Sequence, residues 1–317
     1  MTSEGIELNA GLADLDRAAW YARLAEIGDD LGYCENLGPR HVATFIDAGP
    51  QLLVTFETHR QIETSADSAE PRGFNFVRTQ GWSHLALIAD GDTWFRDDTV
   101  YRYFDRLVDD GFFEDFDNVL FFGAHAGGYA AAAFGVAAPG ARVLAIRPQA
   151  TLDPAVAGWD PRYRDHRRLC FTDRYGYAPD MIDAAAQAWI AFDPAHPLDA
   201  MHAALFRRAN VTALPCRYLG WQLDQAFDAM DIATPLILAA MDGSLTPQAF
   251  ARLLRARRDH LPYLRNLLQR LEKAGRDELA ARLCRHVIKD RSRPFFARKL
   301  ASLQAAGVGT PESASAG

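Results

Sequence analysis

A histidine stands at the tip of a glycine-rich turn in the run VLFFGAHAGGYAAAAF, residues 119–134. A short apolar run precedes Gly123, and an alanine-rich helix pattern follows the turn. A strand that turns sharply into a helix through Gly-x-nucleophile-x-Gly lifts its central side chain above the sheet, and larger neighbours would clash there. An imidazole in that place could accept an acyl or phosphoryl group or activate a bound water. The pattern makes His125 a candidate catalytic residue, and we expect Gly123, Ala126 and Gly127 to contact a ligand.

The elbow, residues 123–127, resembles a motif of the α/β-hydrolase superfamily. In bacterial members that are often encoded among surface-polysaccharide genes, this motif reads G-x-S-x-G-G-Y-A, and a strand ending in Pro-Gln follows it. Here GAHAGGYAA and LAIRPQATLDP match that pattern in everything but the serine, which is replaced by His125. The resemblance covers about residues 40–225. It implies a sheet covered by helices on both faces and a triad of serine, histidine and acid.

The other two triad positions can be compared with the same family pattern. An acid after a late strand is matched by Asp193 in AWIAFDPAHP, with Asp199 as a competing candidate. The base histidine of the family follows the last strand, here in PCRYLGWQLDQ, where the chain reads Gly220 and Trp221. Since serine hydrolysis needs nucleophile, base and acid together, two of three parts are missing. We therefore predict a degenerate triad and non-catalytic binding of an anionic or glycan-related ligand or a partner protein.

Two other interpretations of the same residues stay open. In the first, His125 itself works as nucleophile or base in a hydrolase or an acyl or phosphoryl transferase, with Asp193 orienting it. In the second, Arg147 binds the ribose phosphate of NADP in an oxidoreductase, although GAHAGG departs from the G-x-G-x-x-G fingerprint. Similar sequences are sometimes named phosphoadenosine phosphosulfate reductases. The chain carries no Ser-Gly-Gly-x-Asp loop that would support that name.

Arginines and tyrosines alternate in a long polar excursion, residues 150–180, which includes the run WDPRYRDHRRLCFTDRYGYAPD. It follows a predicted strand at the edge where α/β sheets place ligands. Arginine forks grip phosphate or carboxylate groups, so the excursion could form a lid over an anionic or sugar-like ligand. An equally good interpretation is that it only neutralises an acidic body. The candidate ligand-binding residues outside the elbow are Arg147, Arg162, Arg164, Tyr175 and Trp221.

Apolar periodicity predicts an α/β body. The first forty residues form one helical pattern, and HVATFIDAG and QLLVTFET suggest two neighbouring strands with a turn between them, followed by a loop in HRQIETSADSAEPRG. From VLFF onward, short apolar strands alternate with helices as far as VTALPC, which is typical of a mostly parallel sheet with helices on both faces. The predicted divisions are a helical segment 1–40, an α/β-hydrolase-like body 41–230, a basic helical appendage 231–303 and a disordered tail 304–317.

The charged residues are distributed unevenly along the chain. The net charge is -7, but residues 251–300 hold fifteen basic and five acidic side chains, which leaves -17 on the remainder. This segment includes a predicted helical hairpin that turns at Gly275. It could dock an acidic protein partner through residues 245–300, whereas DNA binding is not expected because interleaved aromatic residues are lacking.

Localisation and cofactor binding leave few signals in the sequence. The four cysteines lie far apart, and we predict neither a metal site nor a cofactor. The chain contains no apolar run long enough to span a membrane and no signal-peptide pattern at its N-terminus, so we predict a cytoplasmic protein.

Overall fold

An eight-stranded sheet runs through the molecule in the computed structural model, which describes residues 8–65, 68–289 and 292–308. Its order is β1-β2-β4-β3-β5-β6-β7-β8. The strand β2 is antiparallel to both β1 and β4, and the neighbours from β4 to β8 are parallel. The strands are β1 (Gly32–Asn36), β2 (His41–Ile46), β3 (Gln51–Thr58), β4 (Ser83–Ala89), β5 (Asn118–Ala124), β6 (Arg142–Ile146), β7 (Gln187–Phe192) and β8 (Val211–Pro215).

Helices connect these strands and then continue past the last of them. The helices of the described ranges are α1 (Arg17–Leu31), α2 (His59–Ser65), α3 (Phe74–Gln80), α4 (Asp98–Asp109), α5 (Ala126–Phe134), α6 (Pro154–Ala157), α7 (Ala178–Met181), α8 (Pro197–Leu205), α9 (Leu223–Ala229), α10 (Ala233–Met241), α11 (Pro247–Leu253), α12 (Leu261–Lys273), α13 (Asp277–Ile288) and α14 (Pro294–Ala305). Parallel strands need such crossovers, and the crossovers cover the sheet on both faces.

Alternate residues of the strands point into separate cores. On β5, Val119 and Phe121 join the cluster that α4 and α5 cover, while Leu120 and Phe122 join the cluster under α9, α10 and α11. A third cluster packs α1 and α3 against β2 and β4. Because side chains alternate across a strand, each strand serves both layers of helices. The predicted three-layer α/β architecture is confirmed.

Several local predictions need correction. The strands β2 and β3 are not neighbours, because β4 pairs between them. The predicted loop after β3 contains α2, and the predicted helical segment 1–40 also contains β1, which extends the sheet. The predicted hairpin consists of α12 and α13, and one more helix, α14, follows it among the described residues. The predicted disordered tail was 304–317, but Gln304 and Ala305 belong to α14, and residues 309–317 lie outside the described residues.

The last three helices form a unit with a core of their own. Leu264 and Leu268 of α12, Ala280 and Cys284 of α13, and Leu300 of α14 are buried against one another. A link to the body comes from Asn266, whose side-chain amide donates to the backbone carbonyl of Tyr218, 3.0 Å away. This unit therefore stands against the loop that follows β8.

Candidate functional site

The elbow has the backbone geometry that the sequence predicts. His125 follows the last residue of β5 and precedes the first residue of α5, with φ +56° and ψ -120°. Such a conformation costs free energy in a non-glycine residue and lifts the side chain off the strand. A Cβ on Gly123 would lie 2.1 Å from the carbonyl oxygen of Gly127, and one on Gly127 would lie 2.1 Å from that of Phe56. Because Gly123 and Gly127 have no Cβ, the strands and the helix can approach each other closely here.

Arg147 repeats this arrangement on the next strand. It directly follows β6 and also has a positive φ, +52°. The backbone N–H of His125 donates to Ile146, and that of Arg147 donates to Ala191, so each residue is anchored to the end of the neighbouring strand. Since parallel strands place their carboxyl ends at one edge, these two lifted side chains meet.

Both ring nitrogens of His125 are hydrogen bonded. Nη1 of Arg147 lies 2.6 Å from Nδ1, and Oδ1 of Asp224 lies 3.1 Å from Nε2. A guanidinium has only donors, so Nδ1 must accept, and the proton of the neutral ring then sits on Nε2 and is donated to Asp224. The imidazole is therefore held in one tautomer between a cation and a carboxylate. About a fifth of its side chain is exposed (21%).

A chain of buried charges continues from Arg147. Its Nε donates to Asp199 at 2.8 Å, and both side chains are almost fully buried. Asp199 also accepts from Arg162, which donates to Asp160 as well. A buried charge without a partner is costly, so alternating guanidinium and carboxylate groups stabilise one another.

The chain of charges ends at a buried histidine. Nε2 of His202 lies 3.0 Å from Asp160, while its Nδ1 accepts from the backbone N–H of Ala150. The excursion is thereby tied to α8 by hydrogen bonds between buried groups.

The carboxylates of this network favour the ionised form. Burial acts to raise the pKa of Asp224, but the contact with His125, first of all its hydrogen bond, outweighs burial, and the pKa lies below its ordinary value. Burial likewise opposes ionisation of Asp199, and the Arg147 and Arg162 guanidinium groups bring its pKa below the ordinary range. The same holds for Asp160, through His202 and Arg162.

Asp193, the predicted acid, lies directly after β7 and has other partners. Its Oδ1 accepts from the backbone N–H groups of Ala195 and Tyr218, and its Oδ2 accepts from that of Gly220. It therefore holds the loop after β8, where the family pattern places the base histidine. The ring partners of His125 within the described residues are Arg147 and Asp224, so the structure does not bring Asp193 to the elbow residue.

Trp221 lies in that loop, beside Arg147 of the network. Its ring centroid lies 5.9 Å from the guanidinium carbon of Arg147, and 56% of the residue is exposed. Asp224 lies three residues further along the chain, in the first turn of α9. The family pattern places a histidine in this loop and gives no indication of the carboxylate that bonds His125.

The remaining predicted ligand residues fall into two groups. Tyr175 is buried, its hydroxyl donates to Asp105, and its carbonyl accepts from Tyr129, so it serves the core of the excursion. Arg162 lies in the buried network described above, whereas Arg164 is exposed. Ala126 begins α5 beside His125. The structure thus brings Arg147 and Arg162 into one network with the elbow and leaves Arg164 and Tyr175 outside it.

A cleft opens beside this network, between the body and α12. Its volume is about 890 Å³, and His125 is not among its lining residues. Trp221 and Tyr218 form one wall, and Asn266, Arg270 and Lys273 of α12 form another. The loop that would carry a base in the family pattern is therefore a wall of this cleft.

The sheet order and the strained residue between β5 and α5 are those of an α/β-hydrolase fold. No protein-family model and no curated protein matches the sequence. Solved structures with a similar fold include an esterase from Pyrobaculum calidifontis, with a TM-score of 0.43 and 12% identity, covering 74% of this chain and 95% of that one.

Two further solved structures are similar to the same degree. A capsule O-acetyltransferase of Neisseria meningitidis serogroup A gives a TM-score of 0.40 and 12% identity, over 65% of this chain and 94% of its own. The Glycosylation Associate Protein (Gap123) complex from Streptococcus agalactiae gives 0.44 and 13%, over 64% and 44%. At such identities the likeness concerns the fold alone.

The described residues contain neither a metal-binding cluster nor a membrane-spanning helix. They hold no group of three or more His, Cys, Asp or Glu side chains placed to bind a metal ion. No helix among them is long and apolar enough to cross a membrane.

Proposed function

We propose that this chain is a non-catalytic protein of α/β-hydrolase fold that acts by binding an anionic ligand. The observation that carries the proposal is the state of the His125 ring, whose two nitrogens are both engaged, by Arg147 and by Asp224. The elbow residue has become part of a structural ion network.

A nucleophilic or basic histidine needs a free lone pair. The only lone pair of neutral His125 is on Nδ1 and faces the Arg147 guanidinium. Freeing it would require Arg147 to leave, and Arg147 is held by the buried carboxylate of Asp199. Losing one partner of such a buried pair costs about 3 kcal/mol or more. This cost supports a structural role for the imidazole.

The residues around the elbow also support a non-catalytic role. Asp193 uses its carboxylate to hold backbone N–H groups of the loop after β8, and Trp221 extends from that loop over Arg147. A serine placed at the elbow would therefore still lack an imidazole base from that loop. The other arginine of the network, Arg162, is paired with two carboxylates, so the excursion offers no free guanidinium there.

A second candidate function keeps catalysis at His125. It is favoured by the 3.1 Å contact with Asp224, since a carboxylate that orients an imidazole is a recurring catalytic arrangement. In that case the protein is a hydrolase or an acyl or phosphoryl transferase whose Arg147 moves on substrate binding. The NADP interpretation gains no support, because the Arg147 guanidinium is already paired with Asp199.

A panel of ester, thioester and phosphoester substrates, run on the wild type, His125→Ala and His125→Ser, separates the two. We expect no turnover above the uncatalysed rate in any of the three, because nucleophile and base are both lacking. A serine esterase serves as positive control for the panel. Far-UV circular dichroism of each variant establishes that the fold is retained.

Turnover by the wild type that His125→Ala abolishes would contradict the proposal and establish a histidine-centred active site. Turnover that persists in His125→Ala would instead place a reaction elsewhere in the molecule, and it too would refute a non-catalytic role.

A further inference from the structure

The cleft between the body and α12 carries positive charge that no acid of the described chain neutralises. Arg217, Arg270 and Lys273 line it and are exposed, and within the described residues none of them forms an ion pair. The one acid among the described lining residues is Asp193, whose two oxygens accept three backbone N–H bonds. Most basic side chains of the excursion network, by contrast, already have carboxylate partners.

Aromatic and amide groups complete the lining. Trp221 exposes more than half of its surface at the cleft and Tyr218 lies beside it, while Gln225, Asn266 and Gln269 offer amide donors and acceptors. The hydrogen bond from Asn266 to Tyr218 fixes the distance between the two walls. A volume of about 890 Å³ falls in the range of small-molecule sites.

We propose that this cleft binds a phosphorylated ring compound of the nucleoside diphosphate class, with phosphates on Arg217, Arg270 and Lys273 and the ring against Trp221. Guanidinium forks bind phosphate oxygens in pairs, and lysine adds a mobile point charge. An exposed indole stacks on flat rings, and the amides bond to hydroxyl and carbonyl groups of a sugar or base. The inference rests on the proposed binding function and gives it a site and a ligand class.

Isothermal titration calorimetry on the full chain tests the proposal, with ADP, UDP and inorganic pyrophosphate as probes. We expect at least one nucleotide to bind, and pyrophosphate to bind about tenfold more weakly because it lacks the ring. In Arg270→Gln/Lys273→Gln the nucleotide affinity should fall about tenfold or more. The matched pair Arg282→Gln/Arg298→Gln removes the same charge from exposed positions of α13 and α14, and it should bind like the wild type.

The role of the ring is tested separately with Trp221→Ala. We expect this variant to lose nucleotide affinity about fivefold to tenfold while its pyrophosphate affinity stays the same. Raising the salt concentration should weaken nucleotide binding to the wild type, since the contacts are between exposed charges.

Three results of the nucleotide and pyrophosphate titrations would overturn the proposal. They are no heat of binding from either nucleotide, equal affinity in the cleft pair and the matched pair, and pyrophosphate binding as tight as nucleotide binding. An acidic peptide that binds where nucleotides do not would also overturn it in favour of a protein partner. Failure here is distinct from failure of the non-catalytic elbow, because that role is judged by the substrate panel on His125→Ala, a residue outside the cleft.

Discussion

Two groups of basic side chains lie close together in this molecule and differ in their partners. Arg147 and Arg162, near the elbow, are bonded to buried carboxylates. Arg270 and Lys273, on α12, stand exposed at the rim of a cleft. Charge that is paired internally holds a structure in one arrangement, whereas charge left in water at a concave surface is available to a ligand.

The difference in partners indicates where an anionic ligand can bind. The sequence suggested the arginine-rich excursion as a lid over an anionic ligand and the basic appendage as a surface for an acidic protein partner. The structure shows that the two best-placed arginines near the elbow are neutralised from within, through Asp199 and Asp160. Two kinds of substitution test this contrast. One removes an internal carboxylate partner, and the other removes the cations that line the cleft.

The largest effect is expected from Asp199→Asn. It removes the carboxylate that pairs with both Arg147 and Arg162 and leaves a guanidinium buried without its counter-charge. We expect a loss of about 3 kcal/mol in the free energy of unfolding, measured by urea denaturation at pH 7.

The control is Asp183→Asn, at an exposed pair with Arg208, where we expect a loss below about 1 kcal/mol. Equal small losses in both variants would mean that the buried network is not what holds the elbow region together.

A smaller effect, and one that depends on pH, is expected from Asp224→Asn. The pKa of Asp224 is lower in the folded chain than its ordinary value, so its ionised form stabilises the fold at pH values above the unfolded pKa of about 4. That contribution disappears as the pH falls through the folded pKa. The variant should lose about 1 kcal/mol at pH 7, since an asparagine oxygen still accepts from His125 but carries no charge.

The measurement is a series of urea denaturations from pH 7 down to pH 3 on the wild type and Asp224→Asn. The two stability curves should converge as the pH falls, because protonation removes from the wild type the carboxylate charge that the variant lacks at every pH. Curves that stay parallel would show that the Asp224 carboxylate gains nothing from His125.

Local sequence signals predicted the body well and its edges poorly. The run RVLAI is continuously apolar after Arg142 and is β6, residue for residue. The half-exposed edge strand β1, GYCEN, has no such apolar run and was included in a helical segment. The placing of β4 between β2 and β3 depends on contacts between distant parts of the chain, which no local pattern contains.

The elbow itself is predictable, because strand, tight glycine turn and helix are continuous in sequence. Its partners are not. Asp224 lies 99 positions from His125, and Asp199 reaches the elbow only through Arg147. The family pattern pointed to the loop after β8 for a base. A carboxylate can also bond an imidazole, and Asp224, the acid in the first turn of α9, is the signal in the sequence for the partner of His125.

The smallest effect on stability is expected at the cleft, from Arg270→Gln/Lys273→Gln. If these cations are held in reserve for a ligand, the empty protein gains little from them, and the free energy of unfolding should change by about 0.5 kcal/mol or less. The variant Arg282→Gln/Arg298→Gln should show a change of the same size. If the cleft pair alone lost as much as Asp199→Asn, its charges would hold α12 against the acidic body, and the contrast between paired and available arginines would disappear. A small loss without ligand, together with a large loss of nucleotide affinity, is the combination that only a binding surface produces.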